Sequence, residues 1–361
     1  MKTMPSIHGR FLSACLSLAA IAAFSISASA EAQAPLPVAG VSTKVGAGLY
    51  ELVYHPGTGD VFAATIGQRG ADNGRIFVLD GETLANKGSI HTAGYVPYGL
   101  GLHEASGTLY ASDTRNGVVI VADIASMEVV RIIENPADEN GHLREVVVDQ
   151  ASGRVYVSSY NENGLIWVID HASGQLVDTF LNVGNGTSGM ALDPVNDRLF
   201  AANMAAGDIT EIDLDNGEYV RRFSAGGDRP SNLEYDAGRG RLWSANQATN
   251  DATVIDVETG EVLAAVGVGD QALGIRYNPV NDMMYVTARR SGIVTAVDAG
   301  TMNVLTWMQT GSYPNTIVVN RSTGTAYVSN KARSAGRDVP PAFDPNGDTV
   351  TRLERTAATG R

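Results

Sequence analysis

The sequence predicts an all-β fold: a seven-bladed β-propeller of four-stranded antiparallel blades, closed by its own N-terminal strand. Three observations carry the prediction. An aromatic residue opens the same short apolar strand seven times, at Phe62, Tyr110, Tyr156, Phe200, Trp243, Tyr285 and Tyr327, at intervals of 48, 46, 44, 43, 42 and 42 residues. A repeat of this length belongs to solenoids, propellers and arrays, in which each unit buries its apolar face against the next. Each unit holds four β-rich runs parted by Gly/Asn/Asp turns, the plan of a propeller blade. Finally, the seventh repeat lacks a fourth strand, while a spare extended segment, residues 38–45, precedes the first repeat.

The runs follow one order. A first strand such as Gly189-Met190-Ala191-Leu192-Asp193 leads through a turn such as Val195-Asn196-Asp197 to the aromatic strand, for example Val155-Tyr156-Val157-Ser158. A third strand ends in Asp, as in Val168-Ile169-Asp170 and Val254-Ile255-Asp256, and a second turn leads to a fourth run such as Val262-Leu263-Ala264-Ala265-Val266. The aromatic and the Asp recur in nearly every blade, so they read as scaffold: the ring packs between blades, and the carboxylate ties down a turn. His55 and His103 stand where other blades carry Asp or Asn, which assigns them a turn role too. Residues 38–45 are expected to pair with residues 349–354, because an unpaired edge strand invites aggregation.

Residues 1–30 read as a cleaved secretory signal peptide: Lys2 and Arg10, an apolar run, then Ala28-Ser29-Ala30. Leu12-Ser13-Ala14-Cys15 fits a lipobox, but most of the apolar stretch follows Cys15. The expected domain is residues 31–361, with blades to about 354 and a short tail. Periplasmic location, no membrane insertion and a monomer are expected. Cys15 is the only cysteine, so the mature chain has no disulfide and no thiolate chemistry. Cleavage removes two cations and no acid, leaving 24 Lys and Arg against 39 Asp and Glu, a charge of −15. Such a surface repels polyanions at long range.

The Tyr-Val-(Thr/Ser)-Asn strand followed by Val-x-Val-Ile-Asp resembles the YVTN-repeat β-propeller family. Val45-Gly46-Ala47-Gly48-Leu49-Tyr50-Glu51, Arg144-Glu145-Val146-Val147, Pro314-Asn315-Thr316 and Asp348-Thr349-Val350-Thr351-Arg352-Leu353 narrow the resemblance to its YncE-like branch. The similarity spans about residues 44–354. It implies a periplasmic seven-bladed propeller without catalysis, and single-stranded DNA as a ligand. The charge of −15 departs from that implication, since nucleic-acid affinity rests largely on phosphate neutralisation.

Breaks in the repeat mark candidate sites. Twelve residues before each aromatic lie Tyr50, Tyr98, Arg144, Ser188, Ser231, Leu273 and Asn315; eleven before lie Glu51, Gly99, Glu145, Gly189, Asn232, Gly274 and Thr316. These should open the innermost strands at the channel mouth. Tyr50, Tyr98 and Arg144 would offer stacking planes of the kind that hold single strands, against the alternative of a hydrogen-bonded, water-filled lining. Glu51, Glu145 and Asn232 are oxygen donors for a divalent cation of the Ca, Mg or Zn kind, although Arg144 beside Glu145 offers a counter-charge. No other cofactor is expected. His91 and His142 are expected in loops that enter inner strands and so should lie on the same face.

Loop length and charge point to that face. Aromatic-to-Asp spacing is 13 or 14 residues in blades two to six, 18 in blade one and 27 (Tyr327 to Glu354) in blade seven. Over blades six, seven, one and two these loops carry Arg289, Arg290, Lys331, Arg333, Arg337, Arg69, Arg75 and Arg115 against Asp338, Asp72 and Asp113, a balance of +5. Blades three to five carry only Glu162, Asp208 and Asp251, a balance of −3. The sequence thus predicts a non-catalytic binding propeller with a cationic rim for an anionic or extended ligand. The alternatives are a metal-assisted hydrolase or lyase at the channel mouth and a scaffold for an envelope protein.

Overall fold

The computed structural model describes residues 36–68, 71, 73–139, 141–333 and 343–355. The signal-peptide reading of residues 1–30 and the candidates Arg69, Asp72, Arg337 and Asp338 lie outside the described residues. Seven four-stranded antiparallel sheets are present, and their innermost strands contact one another around a ring, the first against the last. Six blades are continuous in sequence. The seventh is built from Pro314–Val319, Ala326–Asn330 and Thr349–Arg355, with Pro37–Lys44 as its outermost strand. Pro37 pairs with Arg355 and Lys44 with Thr349, so the closing segment lies one residue earlier than residues 38–45.

The repeat aromatics hold the blades together. Each of seven core clusters contains one of them together with residues of the following blade: Phe62 with Leu100, Tyr110 with Val146, Tyr156 with Met190, Phe200 with Leu233, Trp243 with Ile275, Tyr285 with Ile317 and Tyr327 with Leu52. All seven rings are at most 3% exposed. Each such ring removes on the order of 200 Å² from water, a gross gain of about 5 kcal/mol per junction. The Tyr327 hydroxyl also donates to the Gly81 carbonyl at 2.7 Å, tying blade seven to blade one.

The third-strand Asp residues act as turn clamps. Asp80 Oδ1 accepts from the Glu82 and Thr83 amides, and Asp256 Oδ1 does the same for Glu258 and Thr259. His55 and His103 perform a related task, each placing Nδ1 against a hydroxyl three residues on, Thr58 and Ser106. These hairpin turns occupy one face of the ring. The connections between the second and third strands, and those from blade to blade, occupy the other.

Candidate functional site: a cationic and aromatic channel mouth

Every innermost strand breaks register with its neighbour near its start. The shifts fall between Leu49 and Leu52, Pro97 and Leu100, Leu143 and Val146, Thr187 and Met190, Pro230 and Asn232, Ala272 and Ile275, and Pro314 and Ile317. A bulge re-aims side chains, and in all seven strands it coincides with the positions singled out above. In four blades a Ser or Thr two residues after the repeat aromatic pins the next bulge by donating to its carbonyl. Ser112 reaches Arg144 at 2.5 Å, Thr287 reaches Asn315 at 3.1 Å, and Ser329 reaches Tyr50 at 2.8 Å.

The even blades carry Gly99, Gly189 and Gly274 at the second bulge position because the next blade's backbone crosses there. A Cβ on Gly99 would meet the Arg144 carbonyl, and one on Gly189 would meet Asn232. The odd blades are free to project Glu51, Glu145, Asn232 and Thr316. Seven being odd, the alternation fails once, where blade seven meets blade one. There Asn315 Nδ2, Thr316 Oγ1 and Ser329 Oγ all converge on the Tyr50 carbonyl.

On the loop face these side chains line a cavity of about 360 Å³ that includes Tyr50, Tyr98, Arg144, Tyr160, Arg229 and Arg289. Tyr50 and Tyr98 meet edge to face with centroids 4.8 Å apart. Lys331 Nζ lies 3.9 Å from the Tyr50 ring centre, and the Arg144 guanidinium lies over Tyr160 at 5.5 Å. Arg289 and Arg333 both lie over Tyr313, at 5.5 and 5.8 Å. Blade seven's long connection is anchored here, since Asp348 Oδ1 accepts from the Gly48, Leu49 and Ala332 amides.

The charges act on one phenol. Burial alone would raise Tyr50, but Lys331, Arg144 and Arg289, with a hydrogen bond from Lys331, outweigh it and hold the hydroxyl below the usual phenol range. Burial lowers the Lys331 ammonium, which Arg289 depresses further while Tyr50 opposes. Burial pushes the His142 imidazole down to about 4, with Arg144 adding to the shift, so it is neutral at neutral pH.

Beneath the mouth the channel narrows at Glu145, which lines both this cavity and a second one of about 610 Å³ on the turn face. Burial pushes the Glu51 carboxyl up to about 7 and that of Glu145 up to about 8, in each case against the charge of Arg276. Glu145 accepts from the Met190 amide at 2.6 Å, and Arg276 lies 4.0 Å away. Arg276 pairs more closely with Glu234, at 2.9 Å, and Arg321 reaches Glu234 at 3.4 Å. Arg144 does not neutralise its neighbour: the bulge sends its guanidinium to Tyr160 and the Glu145 carboxylate to Arg276.

No family model matches the chain. The YncE protein of Salmonella typhi is 28% identical over 301 residues, covering 80% of this chain and 84% of that one, and the YncE protein of Salmonella typhimurium gives the same figures. The YncE protein of Escherichia coli K12 is 31% identical over 176 residues, covering 47% and 49%. The fold is a seven-bladed propeller, and the chain is similar to these YncE proteins.

In this propeller the structure brings Tyr50, Tyr98, Arg144, Arg289 and Asn315 to one cavity, with Lys331 above Tyr50 and Arg333 beside Tyr313. Arg115 is exposed and donates a hydrogen bond to Tyr98. Arg290 is exposed and does not line the cavity. Asp113, counted above as a rim acid, is fully buried and holds the Val96 and Arg115 amides. His91 ends an outer strand, Asn86–His91, and is not in a loop. Glu51, Glu145 and Asn232 all line the cavity; among the described residues no three His, Cys, Asp or Glu side chains are grouped for a metal ion.

Two alignments of residues escaped the sequence reading. Four residues after the aromatics stand Ile66, Thr114, Tyr160, Met204, Gln247, Arg289 and Lys331, a second ring at the mouth of which Arg289 and Lys331 alone were singled out. Nine before stand Val53, Gly101, Val147, Ala191, Glu234, Arg276 and Val318, so blades five and six alone place charges at that level of the channel. Comparing these two positions across blades would have exposed both.

Proposed function

We propose that this protein is a binding module, not a catalyst, and that its loop-face mouth takes an anionic ligand. One observation carries the reading: three cations converge on the Tyr50 phenol, with Lys331 Nζ 3.9 Å from its ring centre and Arg144 and Arg289 lining the same cavity, and their charges favour its anion. A site that stabilises a phenolate stabilises other oxyanions for the same electrostatic reason, and its low-dielectric walls magnify the effect. The rings of Tyr50, Tyr98 and Tyr160 add faces on which a planar group can stack. Single-stranded nucleic acid is the extended ligand that suits rings and cations together, and the periplasm is the location that residues 1–30 suggest.

Metal-assisted chemistry at Glu51, Glu145 and Asn232 has less support. Two carboxyls and one amide are few ligands for a hard divalent cation, and among the described residues no three His, Cys, Asp or Glu side chains are grouped for one. The scaffold reading, with an envelope protein as partner, has no feature of the mouth in its favour.

The test is a titration of labelled single-stranded oligonucleotide, and separately of inorganic phosphate, at about 50 and 200 mM salt. Binding should weaken with salt and fall about tenfold or more in Lys331→Ala/Arg289→Ala. Phosphate binding without oligonucleotide binding removes nucleic acid from the proposal. Failure of both removes the anionic reading.

A further inference from the structure

The two ends of the loop-face cavity carry opposite charge. Its rim holds Arg144 and Arg289, with Lys331 over Tyr50; its floor holds Glu51 and Glu145. Neither floor carboxyl has a close cation: Arg276 and Arg321 give their closer contacts to Glu234, at 2.9 and 3.4 Å. Glu145 is left with Arg276 at 4.0 Å, and Glu51 has the Leu52 amide and Thr316 as its partners. A second sign of an unfilled role is Asn315. It is 3% exposed and lines the same cavity, yet its Oδ1 has no hydrogen-bond partner. The Arg144 Nε at the rim is likewise buried without one.

We infer that the site is built for a compact zwitterion, with a phosphate monoester held at the rim and a protonated amine at the floor. This rests on the anionic reading and narrows its ligand to aminoalkyl phosphates. An ammonium carries three donors and no acceptor, which matches Glu51, Glu145 and Asn315 Oδ1. Its positive charge would draw the two floor carboxyls, which burial pushes up to about 7 and 8, into their anionic forms. Guanidinium and ammonium groups around Tyr50 suit a phosphate dianion better than a carboxylate, because several donors can be used at once. A cavity of about 360 Å³ admits a small molecule of this kind whole.

Calorimetric titration of the mature chain with 2-aminoethyl phosphate, ethyl phosphate and ethylamine tests the inference. Aminoethyl phosphate should bind about tenfold or more tighter than ethyl phosphate, and ethylamine should bind weakest. Glu51→Gln and Glu145→Gln, singly and together, should erase that preference and leave ethyl phosphate binding intact, which also shows that the variants fold. Lys331→Ala should weaken both phosphates. Co-sedimentation with phosphatidylethanolamine vesicles, absent with phosphatidylcholine vesicles, would mean a phosphodiester at the rim and overturn the monoester; binding of soluble aminoethyl phosphate alone supports it. Equal affinity for ethyl and aminoethyl phosphate overturns the zwitterion and leaves the anionic reading standing. No affinity for either phosphate overturns both.

Discussion

The two ends of the channel are built from the same seven strands and differ in almost everything else. The turn-face cavity is the larger, at about 610 Å³ against 360 Å³, but its walls are mainly Leu52, Leu100, Leu102, Val146, Val148 and Val318, the inner faces of regular strands. The loop-face cavity is lined by bulged residues and by four of the residues that follow the aromatics by four places, Tyr160, Met204, Gln247 and Arg289. Turns on one face must satisfy each hairpin, so Asp and Asn recur there. Bulges and connections on the other face carry no such demand, so side chains are free to differ. Size therefore misleads about the binding end, and convergence of polar groups is the better guide.

The two ends meet at Glu145, which lines both cavities and forms the neck between them, and the largest expected effect comes from breaking its ion pairing. Arg276→Met removes the guanidinium that lies between Glu145 and Glu234. Leaving buried carboxylates without their partner costs about 3–5 kcal/mol. Urea unfolding at pH 8.5 should show that loss, and at pH 5.5 the loss should shrink as the carboxyls take up protons. An equal loss at both pH values would mean that the neck charges do not interact.

The neck also sets a slope in the wild type. Glu51 and Glu145 titrate near 7 and 8 in the fold, above the ordinary 4.5. The folded chain therefore binds more protons than the unfolded one between pH 4.5 and 8. Their contribution is fully present below about 4.5 and is lost as pH rises through 8. The wild type should lose stability steadily across this window, and Glu145→Gln should flatten the curve. A wild-type stability that climbs from pH 5 to 8 would contradict the burial of these groups.

How much of this was legible in sequence follows from the same contrast. The blades were readable because Phe62, Trp243 and their equivalents must each fill one junction, and equal demands produce equal residues. The missing fourth strand of blade seven revealed closure because an unpaired edge is costly. Tyr50, Tyr98 and Arg144 stood out as departures within an aligned column. Arg276 and Glu234 did not, because their charges fall on a strand otherwise read as apolar, and their partnership crosses from one blade to the next. Tyr313 was hidden differently: it lies in a connecting loop, and only the fold places both Arg289 and Arg333 over its ring.

The smallest effect discriminates best between the two ends. Burial raises most tyrosines in this chain, Tyr54 of the turn-face cavity among them, with Asn320 opposing. Tyr50, at the mouth, is lowered in spite of its burial. Ultraviolet titration of wild type against Tyr50→Phe should therefore reveal one phenol that ionises below the free value of about 10. Lys331→Ala should return it upward, because the nearest cation and its hydrogen bond are gone, whereas Arg321→Ala, at the other end, should leave it unmoved. Ethyl phosphate at the rim would compete with the phenolate for the same cations and raise Tyr50 in proportion to occupancy, so one absorbance signal reports both the field and the ligand. If Tyr50 ionises no earlier than Tyr54, the mouth is no more cationic than the turn face, and the asymmetry between the two ends reduces to shape.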